Sequence, residues 1–316
     1  MRRLLAEQPF VVLQGAIRDR LERESPIPPD AHVGNASLVH DPRTRGFVEK
    51  VYRLYLDVAC RYGLPVVMIP QTKFLNREQV AAYDPAMPDL MAEVMEHCRQ
   101  VRASYGEFAG KIILGALTGC KNDAYKPEEA LTEEESYRYH ADHTRRLAAQ
   151  QPDFLYITTM PSVPEAEGLC RLAAETGLEY LVSFVVRPTG CVLDGTPLEE
   201  AIRRIDAKTG GNPPFCYCVN CVHPTVLDAC LGHFKDRELL TRRLKGYIAN
   251  PSDLSPEELD GIEELQTEEP ERFAEEVTAM HQKYGLKLLG GCCGTDERHM
   301  EAIIRRLLEL HPQAAR

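Results

Sequence analysis

Leu286-Lys287-Leu288-Leu289-Gly290-Gly291-Cys292-Cys293-Gly294-Thr295 is a short apolar run that ends in two adjacent cysteines between glycines. Such a run, without strict polar alternation, matches a strand buried on both faces of a parallel sheet. Working back along the chain, comparable runs fall at residues 10–13, 64–69, 111–117, 154–158, 180–186, 215–220 and 246–250, so that 286–289 is the eighth. Helix signals lie between them. Thr132 with Glu135, Ser162 with Glu165 and Ser255 with Glu258 have the spacing of capping boxes. Gly177 and Gly285 stand where a helix end takes a left-handed residue. Met300, Ile303, Ile304, Leu307 and Leu308 give the last segment one apolar helical face. Eight strands alternating with helices predict an α/β chain closed into a single (β/α)8 TIM barrel, with residues 1–316 as one domain. An open doubly wound sheet is the alternative. Its first strand is usually followed by a glycine-rich phosphate loop, and Gly15-Ala16-Ile17-Arg18-Asp19 is not one.

Composition narrows the function. The formal net charge of −11 opposes binding to nucleic acid or to anionic membrane surfaces. No run of about 18 apolar residues offers a membrane span. The start, Met1-Arg2-Arg3-Leu4-Leu5-Ala6-Glu7-Gln8-Pro9, is a poor signal peptide, which predicts a cytoplasmic, reducing setting. There, the eleven cysteines point to metal or catalysis more than to disulfides. The acidic stretch 257–276 is interrupted by Leu259, Ile262, Leu265, Phe273 and Val277, as in solvent-facing helices.

The C-terminal ends of barrel strands form one face, and that face holds the site. Cys221 follows the sixth strand, and Cys292 and Cys293 follow the eighth, 71 residues later (292 minus 221). Three thiolates suit Zn²⁺ and leave its fourth tetrahedral position open. The flanking glycines are expected to let the backbone turn so that both adjacent sulfurs face one ion. A centre with three thiolates is a weak Lewis acid, yet it can bind and deprotonate a substrate thiol, which favours attack by sulfur on a methyl group over hydrolysis. Seven of the other cysteines read as packing residues, Cys216 and Cys218 within their strand and Cys60, Cys98, Cys120, Cys170 and Cys230 elsewhere. His223, before Pro224, is more often a loop or cap residue than a ligand. Phe74 and Tyr125 follow strand ends, where an aromatic face can hold a cationic methyl donor.

Asn220-Cys221 together with Gly290-Gly291-Cys292-Cys293-Gly294-Thr295 resembles the homocysteine S-methyltransferase family. Leu13-Gln14-Gly15-Ala16, Tyr55-Leu56-Asp57, Thr72, Met160-Pro161-Ser162, Ser183-Phe184-Val185, Asp194-Gly195-Thr196-Pro197 and Asn250-Pro251 extend the likeness in order over nearly the whole chain. The resemblance implies Cys221, Cys292 and Cys293 as zinc ligands and as the catalytic set. It implies Gln14, Gly15, Thr158, Ser183 and Asn220 as substrate contacts. Homocysteine is the implied acceptor, giving methionine. The family usually carries acids where this chain has Gln14 and Thr158, and those acids hold the amino group of homocysteine. Their absence opens a second reading, a different small thiol without that amine. Asp19 and Glu165 are expected to face solvent, too far away to compensate. A third reading is a zinc- or thiol-binding subunit without catalysis. No Asp-x-His-x-x-Gly pattern of a cobalamin domain occurs, so any corrinoid comes from a separate protein.

Overall fold

Alternation along each strand separates two apolar sets. In the computed structural model, which describes residues 1–87, 89–259 and 265–315, eight parallel strands close in sequence order. They are β1 (Val11–Leu13), β2 (Val66–Met68), β3 (Ile112–Gly119), β4 (Phe154–Met160), β5 (Tyr180–Phe184), β6 (Cys216–Asn220), β7 (Leu244–Ala249) and β8 (Leu288–Gly291). Closure comes from β1 pairing with β8, with Val12 beside Leu289. Val11, Leu13, Phe154, Tyr156, Leu181, Cys218, Ile248 and Leu288 fill the barrel interior. Val12, Leu155, Ile157, Val182, Val219, Tyr247 and Leu289 pack outward beneath the helices. Cys216 and Cys218 thus pack, as their place within a strand predicts, and Cys98, Cys120, Cys170 and Cys230 are buried, whereas Cys60 is exposed.

All eight predicted runs are strands, with ends displaced by at most two residues. Thr132 and Glu135 make a reciprocal capping box at the start of the helix Glu133–Ala149. Ser255 and Glu258 exchange hydrogen bonds at 2.8 and 3.3 Å. Ser162 caps the backbone of Glu165, but the Glu165 carboxylate does not return the bond. It is fully buried instead, accepting from the backbone N–H groups of Lys121 (2.9 Å) and Leu131 (3.3 Å), with His140 3.5 Å away. The solvent-facing position expected for Glu165 is therefore corrected. Gly177 and Gly285 do adopt positive φ, at +74° and +67°. In the acidic stretch, Phe273 and Val277 are buried on the helix Pro270–Tyr284 and Leu265 is exposed, while Ile262 lies outside the described residues. Among the described residues no helix is long and apolar enough to cross a membrane.

Candidate functional site

Inward parity along β4, β5 and β6 carries Thr158, Ser183 and Asn220 toward the barrel axis at its C-terminal mouth. Cys221 comes next, with φ +58°, rare for a residue bearing a side chain. Its N–H donates to the Ile248 carbonyl (3.0 Å), while the Cys292 N–H donates to that of Ala249 (2.7 Å). The strands β6 and β8 flank β7, and these two bonds lean both cysteines over it. The sulfurs of Cys221 and Cys292 lie 2.6 Å apart. Cys293, exposed, has its sulfur 3.9 Å from that of Cys292. A tight turn brings the adjacent pair round: Thr295 N–H and Oγ1 both bond the Cys292 carbonyl, and Gly294 takes φ +84°. Gly290 and Gly291 serve close approach rather than the turn. A Cβ at 290 would lie 2.7 Å from the Leu13 carbonyl oxygen, and one at 291 would lie 2.2 Å from Thr295 Oγ1. Gly15 is likewise pressed on Tyr55, whose ring carbon would be 2.7 Å from an added Cβ.

Charge is shared unevenly between the sulfurs. The hydrogen bond from Cys292 draws the Cys221 thiol down to about 7 against the cost of burial, with Tyr125, Asn220 and Lys73 adding to the pull. The Cys292 thiol is pushed well above its usual range by the same contact and by Cys293. The two thiols therefore titrate as a pair, with Cys221 the more acidic partner. The Tyr125 hydroxyl is also hydrogen-bonded to Cys221, and the negative sulfur raises its own pKa.

Above the sulfurs opens a cavity of about 500 Å³, lined among others by Gln14, Gly15, Thr158, Asn220, Cys221, Cys292 and Cys293. Ser183, proposed from sequence as a substrate contact, does not line it. It is fully buried, and its hydroxyl supports Thr158 Oγ1 (3.4 Å) and accepts from the Thr159 N–H (3.1 Å). Thr159, at φ +54° within a break in the β4–β5 register, accepts from Asn220 Nδ2 (2.8 Å), which also donates to Cys221 Sγ (3.0 Å). Gln14 donates through Nε2 to the Ile69 carbonyl (3.1 Å), leaving its Oε1, like Asn220 Oδ1, buried without a hydrogen-bond partner. Asp19 lines the cavity, contrary to the expectation that it faces solvent, but pairs with Arg23 (3.1 Å) and accepts from the Gly294 N–H (3.3 Å).

Sequence reasoning missed Lys73 and Thr159, both of which line the cavity. Nothing in the sequence flags them: a lysine after a strand reads as surface charge, and the left-handed turn at Thr159 has no glycine to announce it. Phe74 is in the wall, but Arg18 and Lys73 already lie over its ring, 5.5 and 5.3 Å from the centroid. His223 caps the helix Pro224–Gly232 and lies 3.1 Å from Glu276. With Glu268 these form a group whose ligand atoms are all within 4.8 Å of one another. Arg272 approaches both carboxylates, at 2.7 and 3.6 Å, so part of that charge is already neutralised.

A closed parallel barrel with cysteines gathered at the C-terminal mouth of a deep cavity has the form of a barrel enzyme with a sulfur-rich site. Residues 11–307 match the family model described as homocysteine S-methyltransferase, and the chain belongs to that family as a thiol S-methyltransferase. The homocysteine S-methyltransferase of Escherichia coli K12 is 22% identical over 317 residues, spanning 97% of this chain and 98% of that protein. The homocysteine S-methyltransferase YbgG of Bacillus subtilis 168 is 26% identical over 185 residues, 57% of this chain and 54% of that protein. The crystal structure of the E. coli homocysteine methyltransferase MmuM in its metallated form superposes with a TM-score of 0.73 at 23% identity, covering 96% of this chain and 99% of that one. That likeness supports the fold.

Proposed function

We propose that the chain transfers a methyl group to the sulfur of a small thiol held by zinc at Cys221, Cys292 and Cys293, with homocysteine as the default acceptor and methionine as its product. The convergence of the three sulfurs at the floor of the cavity, at 2.6 and 3.9 Å along the series, carries this reading. Soft thiolates suit zinc, and a tetrahedral ion with bonds of about 2.3 Å separates its sulfurs by roughly 3.8 Å, close to the Cys292–Cys293 spacing, so that Cys221 and Cys292, at 2.6 Å, would move apart to hold it. The lowered pKa of Cys221 makes it the readiest of the thiols to ionise. Zinc held by Cys221, Cys292 and Cys293 would lower the pKa of an acceptor thiol and keep its sulfur nucleophilic at neutral pH. The metallated state of MmuM is consistent with such a site.

The chain's own residues do the positioning. Asn220 and Tyr125 hydrogen-bond Cys221 and orient it. The cavity walls hold acceptor and donor in line and exclude water. The acceptor sulfur attacks the methyl carbon, a C–S bond forms, and the bond to the donor breaks with its electron pair leaving on the donor. The thiol proton passes to solvent. A sulfonium, a quaternary ammonium or a separate corrinoid protein fits the donor's role, and a reducing cytoplasm suits free thiolates.

A thiol without the amine is favoured by one specific observation. Neither Glu165 nor Asp19 is free to replace the acids absent at 14 and 158: Glu165 is buried against backbone N–H groups and Asp19 is paired with Arg23. The family is one of enzymes, which favours catalysis over the carrier alternative. Incubating purified protein with homocysteine or its deaminated analogue and a panel of methyl donors, followed by mass spectrometry, tests the proposal. A methyl thioether of either thiol is expected. No thioether with any donor or with methylated corrinoid protein would sink it.

A further inference from the structure

We infer that Lys73 selects the acceptor: the thiol taken here carries an acid group, a carboxylate or a sulfonate, and that group rather than an amine makes the charged contact with the protein. The inference rests on the thiol-methylation reading above and specifies its substrate class.

The lysine is built into the wall. Its stem lies along Gly119, where an added Cβ would be 3.0 Å from Cε and 3.5 Å from Cδ, so the absent side chain at 119 makes room for it. Gly119 is the register partner of Thr158, whose carbonyl oxygen lies 2.8 Å from the same point. The stem therefore runs beside the strand position where the family resemblance implies an acid. Nζ ends 3.9 Å from Cys120 Sγ and 5.3 Å from the centre of the Phe74 ring, and among the described residues it forms no ion pair.

The other charges lining the cavity are already engaged. Arg18 pairs with Glu22 at 2.7 Å and Asp19 with Arg23 at 3.1 Å. Asp30 accepts from the backbone N–H groups of His32 and Val33, at 2.7 and 3.1 Å. Lys73 is left as the positive charge with no carboxylate to meet it among the described residues, half-buried in the wall of the cavity that the cysteines line. A partly desolvated ammonium gains most from an anionic ligand, through a charge-assisted hydrogen bond. Where the family resemblance implies negative charge for an ammonium, at 14 and 158, this cavity has neutral side chains, and Lys73 adds a cation to the wall.

Isothermal titration calorimetry of the metal-loaded protein tests this with four thiols: homocysteine, mercaptobutyrate (its deaminated form), homocysteine amide (its acid neutralised) and mercaptopropane sulfonate. Homocysteine and mercaptobutyrate should bind within about threefold of each other, and the amide about tenfold or more weaker. The sulfonate arm shows whether the carboxylate or the sulfonate is the better anion, and tight binding of either supports the inference. Lys73→Met should erase the gap by weakening the acids, and Lys73→Arg should keep it. Thiols that bind with no acid preference, or a preference untouched by Lys73→Met, would overturn the inference and leave thiol binding standing. No binding by any of the four would overturn both.

Discussion

At the residue scale, the chemistry was legible where it rested on side-chain type and spacing. Two cysteines between glycines, and a third 71 residues earlier, are an unusual pattern, and the fold brings the three sulfurs together in one short series. Lys73 was not legible, because its importance lies in what fails to pair with it, and pairing is a property of space. Gln14 and Thr158 were legible as neutral residues, though not the buried oxygen of Gln14 that is left without a hydrogen-bond partner. If these two positions weaken the hold on an amine, Gln14→Asp with Thr158→Glu should tighten homocysteine, by roughly 1.5–3 kcal/mol for each charge-assisted bond gained. It should not tighten mercaptobutyrate. Dissociation constants of both thiols for native protein and double variant check this, and unchanged homocysteine binding would show that these positions do not set specificity. Because Thr158 borders Lys73, the single variant Gln14→Asp belongs in the same series, to separate a new contact to the amine from a new ion pair with the lysine.

At the element scale, the strands were legible because burial on both faces leaves them almost free of polar residues. Their ends were less so, since the mouth of the barrel is where regular pairing stops. The break in register near Thr159 has no sequence mark, yet it turns that hydroxyl toward Asn220. The capping pattern at Ser162 misled for a related reason: the Glu165 carboxylate satisfies two distant backbone N–H groups, a demand that local sequence does not display. Helix Glu133–Ala149 supports the mouth from beneath, with His143 Nε2 3.0 Å from the Thr72 carbonyl, next to Lys73. That oxygen only accepts, so Nε2 carries the proton. Burial, with His140 nearby, pushes the His143 pKa down to about 4. The unfolded chain protonates this imidazole near pH 6.5, whereas the folded chain resists until about pH 4. Stability contributed by the neutral ring is thus present above about pH 6.5 and lost as pH falls toward 4, by roughly 3 kcal/mol in full. Urea unfolding across that range should show a steeper acid loss for native protein than for His143→Gln. Parallel slopes would refute the burial argument.

At the scale of the whole molecule, the closed barrel was the inference that mattered most: its strand order sets β6 and β8 on either side of β7, where Cys221 and Cys292 lean over it and meet. Counting eight buried runs was enough to predict it; the tight approaches that make it fit, at Gly15, Gly290 and Gly291, were legible only as glycines. The same closure sets two groups of ligand-type side chains side by side at this end of the barrel: the cysteines on the cavity floor, and His223 with Glu268 and Glu276 behind it. The assignment of the metal to the first group is the centre of the proposed chemistry. Zinc content combined with X-ray absorption at the zinc edge tests it most directly, on native protein and on Cys292→Ala. About one zinc per chain with mainly sulfur ligands is expected, and its loss from Cys292→Ala, since two of three thiolates hold zinc too weakly. A full complement of zinc in that variant, or an edge dominated by nitrogen and oxygen as His223, Glu268 and Glu276 would give, would contradict the assignment.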